Sequence, residues 1–495
     1  MNNKELITFL LNIPEEDQTT EFKRLNGDSV VRKILETIIG MANAEGGTII
    51  LGIDDPEKTD KKRLDRIFGI EENKDNFDAI GREIQKVIPP LAGIWPPQII
   101  FIEEINKSVA LIFIPKCSDD FRHYNNKVIL RQQKSNIELS PHEVITFSYA
   151  KGFKRADIEL VEVDFSLLNT SYYQEWKSSR QILGNDIKEV LEKTGLAKKD
   201  AQNRLLPTRA AVLLFTEYPT NLMDTKCAIR IFQYSGTMEK IGNTPNLVSV
   251  PETIQGPIIQ IINNAQQFVL QLLRSGITIP NSGFINKYRI PERAIKEAIT
   301  NAVIHRDYFL KRDIEIKIFE DRVEIENPGL LPFNITPNNI GKVRADGYRN
   351  DLLVKILREY PNRPNLDQNE GVKAMRVEMR AQNLYPPIFL TYPFLKASVK
   401  VVLFNEIVAT EWQKISDYLE KSKYISNTEA REITGTEQRD KMTQIFKKWV
   451  NQGLLIQIKP KSGYLKATRY RLPNSNEIGT KNLQDNQKSY KNNPQ

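Results

Sequence analysis

With 495 residues the chain is long enough for about three domains, each with a sizeable core. Its 70 Lys+Arg against 62 Asp+Glu give a net charge of +8, a lean toward polyanionic partners that selects none by itself. Two cysteines, Cys117 and Cys227, lie far apart without CxxC spacing, which argues against a disulfide framework or a structural zinc site. No stretch approaches the roughly 18 apolar residues of a membrane helix, and MNNKELITFL lacks a signal-peptide core, so a cytoplasmic protein with no membrane contact is expected.

The first 150 residues open with EEDQTTEFKRL. The segment ILETIIGMANAEGGTIILGIDD then places Ile34, Leu35, Ile38, Ile39 and Ala42 on one helix face, followed by a Gly46-Gly47 turn and a buried strand from Thr48 to Ile53. Acidic residues flank this unit at both ends, and FRHYNNK with Arg122, Lys127, Arg131 and Lys134 gives a basic stretch carrying an aromatic, suited to phosphate contact and base stacking. A solvated hairpin is the ordinary alternative for that stretch, and a charged loop for the run Glu15-Glu16-Asp17.

The pattern E-x-x-x-x-E-F-K, then A-N-x-E-G-G-T-x-x-x-G-x-D-D, and finally HYNNKVILRQQKSN resembles the AlbA-like domain of the Schlafen family over residues 1–150. The resemblance implies an α+β nucleic-acid-binding module, and in some relatives a metal-dependent endoribonuclease of tRNA or rRNA. Glu16, Glu21 and Asp54 or Asp55 match the carboxylates that would hold Mg²⁺ or Mn²⁺, with Lys23 near the phosphate.

Residues 151–290 read as a connecting α/β region without chemistry of its own. LLPTRAAVLLF, Leu205 to Phe215, is expected to be a buried strand, AIRIFQYSG an alternating one, and Pro257 to Leu273 an amphipathic helix.

A domain over residues 291–405 starts at Pro291-Glu292. Ala294, Ile295, Ala298, Ile299, Ala302 and Val303 form the apolar half of a helix, bordered by a polar column of Glu297, Asn301 and His305 at four-residue spacing. A hairpin follows, with Ile314, Ile316 and Ile318 alternating, Glu320-Asp321 at the turn, then Val323 and Ile325, ending in Asn327-Pro328-Gly329. A solvated helix edge is the plain reading of Glu297 and Asn301.

E-A-x-x-N-A-x-x-H-R-D-Y followed by N-P-G-x-L-P resembles a divergent transcriptional-regulator branch of the GHKL class of ATP-binding folds. Gly347-Tyr348-Arg349-Asn350 and Gly371-Val372-Lys373-Ala374-Met375 resemble its later segments. The resemblance implies an α/β sandwich binding ATP and Mg²⁺. Asn301 would hold the metal, Glu297 would act as the base on an attacking water, and His305, Asn327, Gly329 and Gly371 would line the nucleotide site. Asn327 stands where the class usually has Asp, and Asn369-Glu370-Gly371 where the branch has Gly-Thr-Gly, so hydrolysis is less strongly implied than binding.

Residues 411–473 give three helical segments and a hairpin, the pattern of a winged helix. Arg439, Lys441, Lys447 and Lys448 on the third helix would enter the major groove, Lys459, Lys461, Lys466 and Arg469 on the wing would meet phosphates, and Phe446 and Trp449 would be core. Residues 474–495 read as a disordered tail.

Together these readings predict an α+β multidomain, nucleotide-regulated nucleic-acid-binding protein. It is similar to Schlafen-like transcriptional regulators, which implies a role in phage defence or stress. The alternative is an ATP-gated, metal-dependent endoribonuclease cutting tRNA or other structured RNA. A homo-oligomer is expected in either case.

Overall fold

The computed structural model describes residues 3–223, 225–240, 242, 245–278, 285–362, 364, 370–458 and 468–472. The chain forms two compact units, one of Met1–Thr146, Tyr392–Phe394 and Ala409–Gln495, the other of Phe147–Thr391 and Leu395–Val408. Both mix helices with sheets, as the periodicities require, and no described helix is long and apolar enough to cross a membrane.

In the first unit, strand Thr20–Lys23 pairs in parallel with Gly47–Leu51, which pairs antiparallel with Lys107–Ile114 and through it with Gln98–Ile102. Two adjacent parallel strands need a crossover, and helix Val30–Asn43 supplies it. Its Ile34, Leu35, Ile38, Ile39 and Ala42 are buried, as the period predicts. The Gly46-Gly47 turn is present too: a β-carbon at Gly46 would fall 2.7 Å from the Ile114 carbonyl oxygen, and its φ of +75° suits glycine.

The C-terminal part of this unit has helices Thr410–Lys421, Asn427–Thr434 and Arg439–Asn451, then strands Ile456–Ile458 and Arg469–Arg471 in an antiparallel pair. Ile425 bridges Tyr470 and adds a third extended segment. Ser426 and Glu429 close a reciprocal capping box on the second helix, and Gly435 ends it in the left-handed conformation. Trp412 packs edge-on to Trp449 at 5.0 Å, with Phe446 buried beside them. Lys459, Lys461 and Lys466 lie outside the described residues.

The second unit is built on a six-stranded sheet in the order Glu252–Ile254, Ile229–Gln233, Ile314–Ile318, Arg322–Pro328, Ser398–Phe404, Ile388–Leu390. Ile229–Gln233 runs parallel to Ile314–Ile318, so the stretch expected to be a separate connecting region contributes strands to the same sheet as the hairpin. Helices Ile258–Leu273, Glu292–Ile304 and Gly371–Ala381 pack on the apolar face formed by Ile316, Val323, Ile325 and Leu403. Arg209–Phe215 is a correction: it is a helix, not a strand. Thr208 Oγ1 accepts from the Ala211 N–H at 3.3 Å and caps it, and burial on every side removes the amphipathic signature that would have marked it.

Candidate functional site

The helix Glu292–Ile304 has Pro291 just before it and Glu292 in its first turn, both matched to a helix start. Its apolar half is buried, leaving Glu297 and Asn301 half-buried on the edge. Neither side chain has a hydrogen-bond partner among the described residues. Facing them is Gly371, the first residue of helix Gly371–Ala381. A β-carbon there would come 2.6 Å from Glu297 Oε2 and 3.2 Å from Asn301 Nδ2. A side chain at 371 would therefore displace the Glu297 carboxylate, and a helix N-terminus with its unpaired N–H groups lies against an unsatisfied Glu-Asn edge. Burial raises the Glu297 carboxyl above its ordinary value, only partly offset by Arg293.

The C-terminal end of the same helix is closed by the sequence's other matched residues. Asn350 Nδ2 donates to the Ile304 and Arg306 carbonyls at 2.8 and 2.7 Å, and Arg349 donates to the carbonyls of His305, Ala150 and Leu330. Tyr308 donates to the Val303 carbonyl at 3.0 Å, and Arg306 to those of Lys226, Leu310 and Arg312. The His-Arg-Asp-Tyr and Arg-Asn motifs therefore supply the donors that a buried helix end lacks.

Gly329 belongs to this network: at φ +112° its missing β-carbon makes room for Arg349 and for Asp307, which would lie 3.1 Å away. In the structure the residue serves close packing against these two side chains. The His305 ring stacks on Tyr348 at 5.8 Å, and its Nδ1 is buried without a partner. Burial, with Arg349 nearby, brings it down to about 4, so the ring is neutral at pH 7.

Asn327 is buried and shares the strand face of Val323 and Ile325, pointing under the helix layer. Thr391, which directly follows the edge strand Ile388–Leu390, is buried with an unpartnered hydroxyl. Asn369 lies outside the described residues.

In the first unit the structure brings three predicted acids together. Glu16, Glu21 and Asp55 are all buried. Glu16 Oε1 accepts from the Phe22 N–H at 3.0 Å. Glu21 is held by Lys23 and by the buried Arg131, and Asp55 by Lys58 at 2.7 Å and the Glu57 N–H at 2.9 Å. Lys58 also lies 3.6 Å from Glu16. Burial raises the Glu16 carboxyl and Glu21 adds to it, with Lys23 opposing. Asp55 stays below its ordinary value against burial, because of Lys58 and the Glu57 N–H.

Of the alternatives Asp54 and Asp55, the structure places Asp55 beside Glu16, while Asp54 lies 3.9 Å from Arg24. Each clustered carboxylate already has a basic neighbour. Among the described residues, no group of three or more His, Cys, Asp or Glu is arranged to hold a metal, so the acids as placed do not fit the Mg²⁺ or Mn²⁺ expected there.

The basic stretch is also compensated. Arg122 pairs with Asp119 at 2.7 Å, Lys127 with Glu138 at 2.5 Å, and Lys134 with Glu15 and Glu57 at 2.8 and 2.6 Å. Arg131 is fully buried and paired with Glu21. On Arg439–Asn451, Arg439, Lys447 and Lys448 are exposed, while Lys441 lies 3.8 Å from Glu411. Sequence reasoning missed Lys58 and the roles of Arg349 and Asn350. For Lys58 the only signal was a lysine three residues past Asp55.

Residues 16–140 match the family described as Schlafen, AlbA_2, and residues 311–402 match the family described as "Putative ATP-dependent DNA helicase recG C-terminal". The chain therefore carries a Schlafen AlbA_2 domain joined to an ATP-binding domain of the recG C-terminal type. The second match begins after Ile304, so Glu297 and Asn301 precede it. A crystal structure of the DIP2311 protein from Corynebacterium diphtheriae is similar at 16% identity and a TM-score of 0.40, covering 96% of this chain and 98% of that one. No curated protein matches the sequence significantly.

Proposed function

We propose that this is a nucleotide-regulated nucleic-acid-binding protein, a Schlafen-like transcriptional regulator acting in the cytoplasm in defence or stress. The observation that carries the reading is the unpaired Glu297–Asn301 edge against the helix start at Gly371, in the unit that holds the ATP-binding match. In this reading the unit is a GHKL-type site: the Gly371 end receives phosphate oxygens, and Asn327 with Thr391 meets the nucleobase. Asn301 supplies the carbonyl that would hold Mg²⁺, which when bound neutralises phosphate charge. Glu297 orients or takes a proton from water.

The AlbA_2 domain and the C-terminal module, read as a winged helix with Arg439, Lys447 and Lys448 outward, hold nucleic acid. The ordered capping box and buried aromatic core support that reading. Nucleotide occupancy shifts binding by favouring one conformation, and a homo-oligomer fits paired half-sites. The test is retention of a labelled DNA duplex with and without ATP.

A second reading is a metal-dependent endoribonuclease of structured RNA, supported by the AlbA_2 match and the nearness of Glu16, Glu21 and Asp55, although the acids as placed do not fit a metal. Lys58, whose side chain is 70% exposed, would have to leave for a metal to enter. Incubation of the protein with total tRNA and Mn²⁺ tests it, cleavage being lost in Glu21→Ala.

A further inference from the structure

The acid-bearing turn of the N-terminal domain is closed by a residue from the far end of the chain. Lys423, just past helix Thr410–Lys421, reaches Asp17 Oδ2 at 2.8 Å and Thr20 Oγ1 at 2.8 Å. Asp17 is buried at 3% exposure. Its Oδ1 accepts from the Thr19 N–H at 2.9 Å and hydroxyl at 3.2 Å, its own N–H donates to the Thr20 carbonyl at 3.1 Å, and its carbonyl accepts from Arg131 at 3.1 Å. That same guanidinium holds Glu21, and the residue before Asp17 is Glu16, tied to Phe22.

Residues 16–19 therefore form a hydrogen-bonded turn that leads into strand Thr20–Lys23, with Glu16 in the turn, Glu21 on the strand and the buried Asp17 between them. A buried anion is tolerated only with a charged partner. Within the N-terminal domain, Arg131 is paired with Glu21 and donates to the Asp17 backbone carbonyl, while Lys423 pairs directly with the Asp17 carboxylate.

The attachment is also apolar. Tyr424 is buried in the same cluster as Ile7, Leu10 and Phe22, with Ile458 packed against it. Ile425 exchanges both backbone hydrogen bonds with Tyr470, at 2.8 and 2.7 Å, so Lys423 projects from a segment fixed to strand Arg469–Arg471. Arg471, on that strand, is the second charge acting on Asp17.

We propose that Lys423 is a positioning residue for the acid-bearing turn: the C-terminal module is a built-in part of the N-terminal site and fixes Glu16 and Glu21 in place. This rests on reading that site as a nucleic-acid contact. A fragment of residues 1–150 would keep every acid but lose the cation that holds the turn.

The test uses the full chain as wild type, Lys423→Met, Lys423→Arg and the exposed control Lys414→Met, reading hydrogen exchange over residues 16–22 and 47–51 and retention of labelled tRNA and DNA duplex. In Lys423→Met the 16–22 segment should lose roughly tenfold or more of its protection while 47–51 keeps its own, and retention should weaken about tenfold. Lys423→Arg should restore both, and Lys414→Met should change neither. Unchanged protection in Lys423→Met overturns the proposal, as does lost protection with unaltered retention. If Lys423→Met does not fold, Lys423→Gln, which keeps a donor without the charge, is read in the same way. Should the wild type retain neither nucleic acid, the functional reading of the site fails, and the exchange data still decide whether Lys423 fixes the turn.

Discussion

Gly371 lies so close to Glu297 that a β-carbon at its position would fall 2.6 Å from the carboxylate oxygen Oε2. The carboxylate has no hydrogen-bond partner among the described residues, so a side chain at 371 would meet it unopposed and push it aside.

Gly371→Ala should push the Glu297 side chain out of place while leaving the helix intact, since alanine favours a helix more than glycine does. Nucleotide binding, followed by titration with a fluorescent ATP analogue, is expected to weaken about tenfold, a loss of roughly 1.4 kcal/mol. The unfolding midpoint should move little.

Glu297→Gln separates binding from hydrolysis. It should retain nucleotide and lose whatever phosphate release the wild type shows, by roughly a hundredfold for a missing general base. Because burial raises the Glu297 carboxyl, the wild-type rate should climb with pH through a midpoint above the ordinary glutamate value of 4.5 and then level off.

Asn350 satisfies two carbonyls at a buried helix end. Asn350→Leu leaves both without donors and should cost about 1–3 kcal/mol in urea unfolding of the second unit. A loss below about 0.5 kcal/mol would show that water reaches those carbonyls.

Acid stability should report Asp17. Lys423 and Arg471 outweigh the burial that would raise it and bring its carboxyl down to about 2, from 3.8 in an unfolded chain. A lowered folded pKa gives stability that is complete above the unfolded value and lost as pH falls through the folded one. The first unit should therefore lose roughly 2 kcal/mol between about pH 4 and pH 2. Lys423→Met should flatten that part of the curve.

Lys447→Glu together with Lys448→Glu reverses charge on the exposed face of Arg439–Asn451. Duplex retention should fall across all sequences, with a shallower dependence on salt, by about two in the slope if both lysines meet phosphates. An unchanged slope would place the duplex elsewhere.

Much of this was legible in the chain. The helix period found Ile34 to Ala42 and Ala294 to Val303, and strand alternation found the hairpin from Ile314, because local propensity and burial agree there; the motifs from Glu16 onward and those from Asn327 onward fell in matched stretches, while the Glu297 to Tyr308 motif precedes its match. What failed was long-range. Arg209–Phe215 is buried all round and carries no period to read. Arg131 looked like a surface cation because its partner Glu21 lies 110 positions away, and Lys423 gave no sign of Asp17 for the same reason. Gly329 and the Arg349-Asn350 pair recur in the motif, but only the structure assigns them to closing a helix end.

The measurement that bears most directly on the central claim is the affinity of the full-length protein for a labelled DNA duplex at fixed salt, with and without saturating ATP and Mg²⁺, in wild type and Gly371→Ala. A nucleotide-dependent change of several-fold is expected in the wild type and should disappear in Gly371→Ala, while the two proteins bind alike without nucleotide. Equal affinity with and without ATP in the wild type would contradict the central claim.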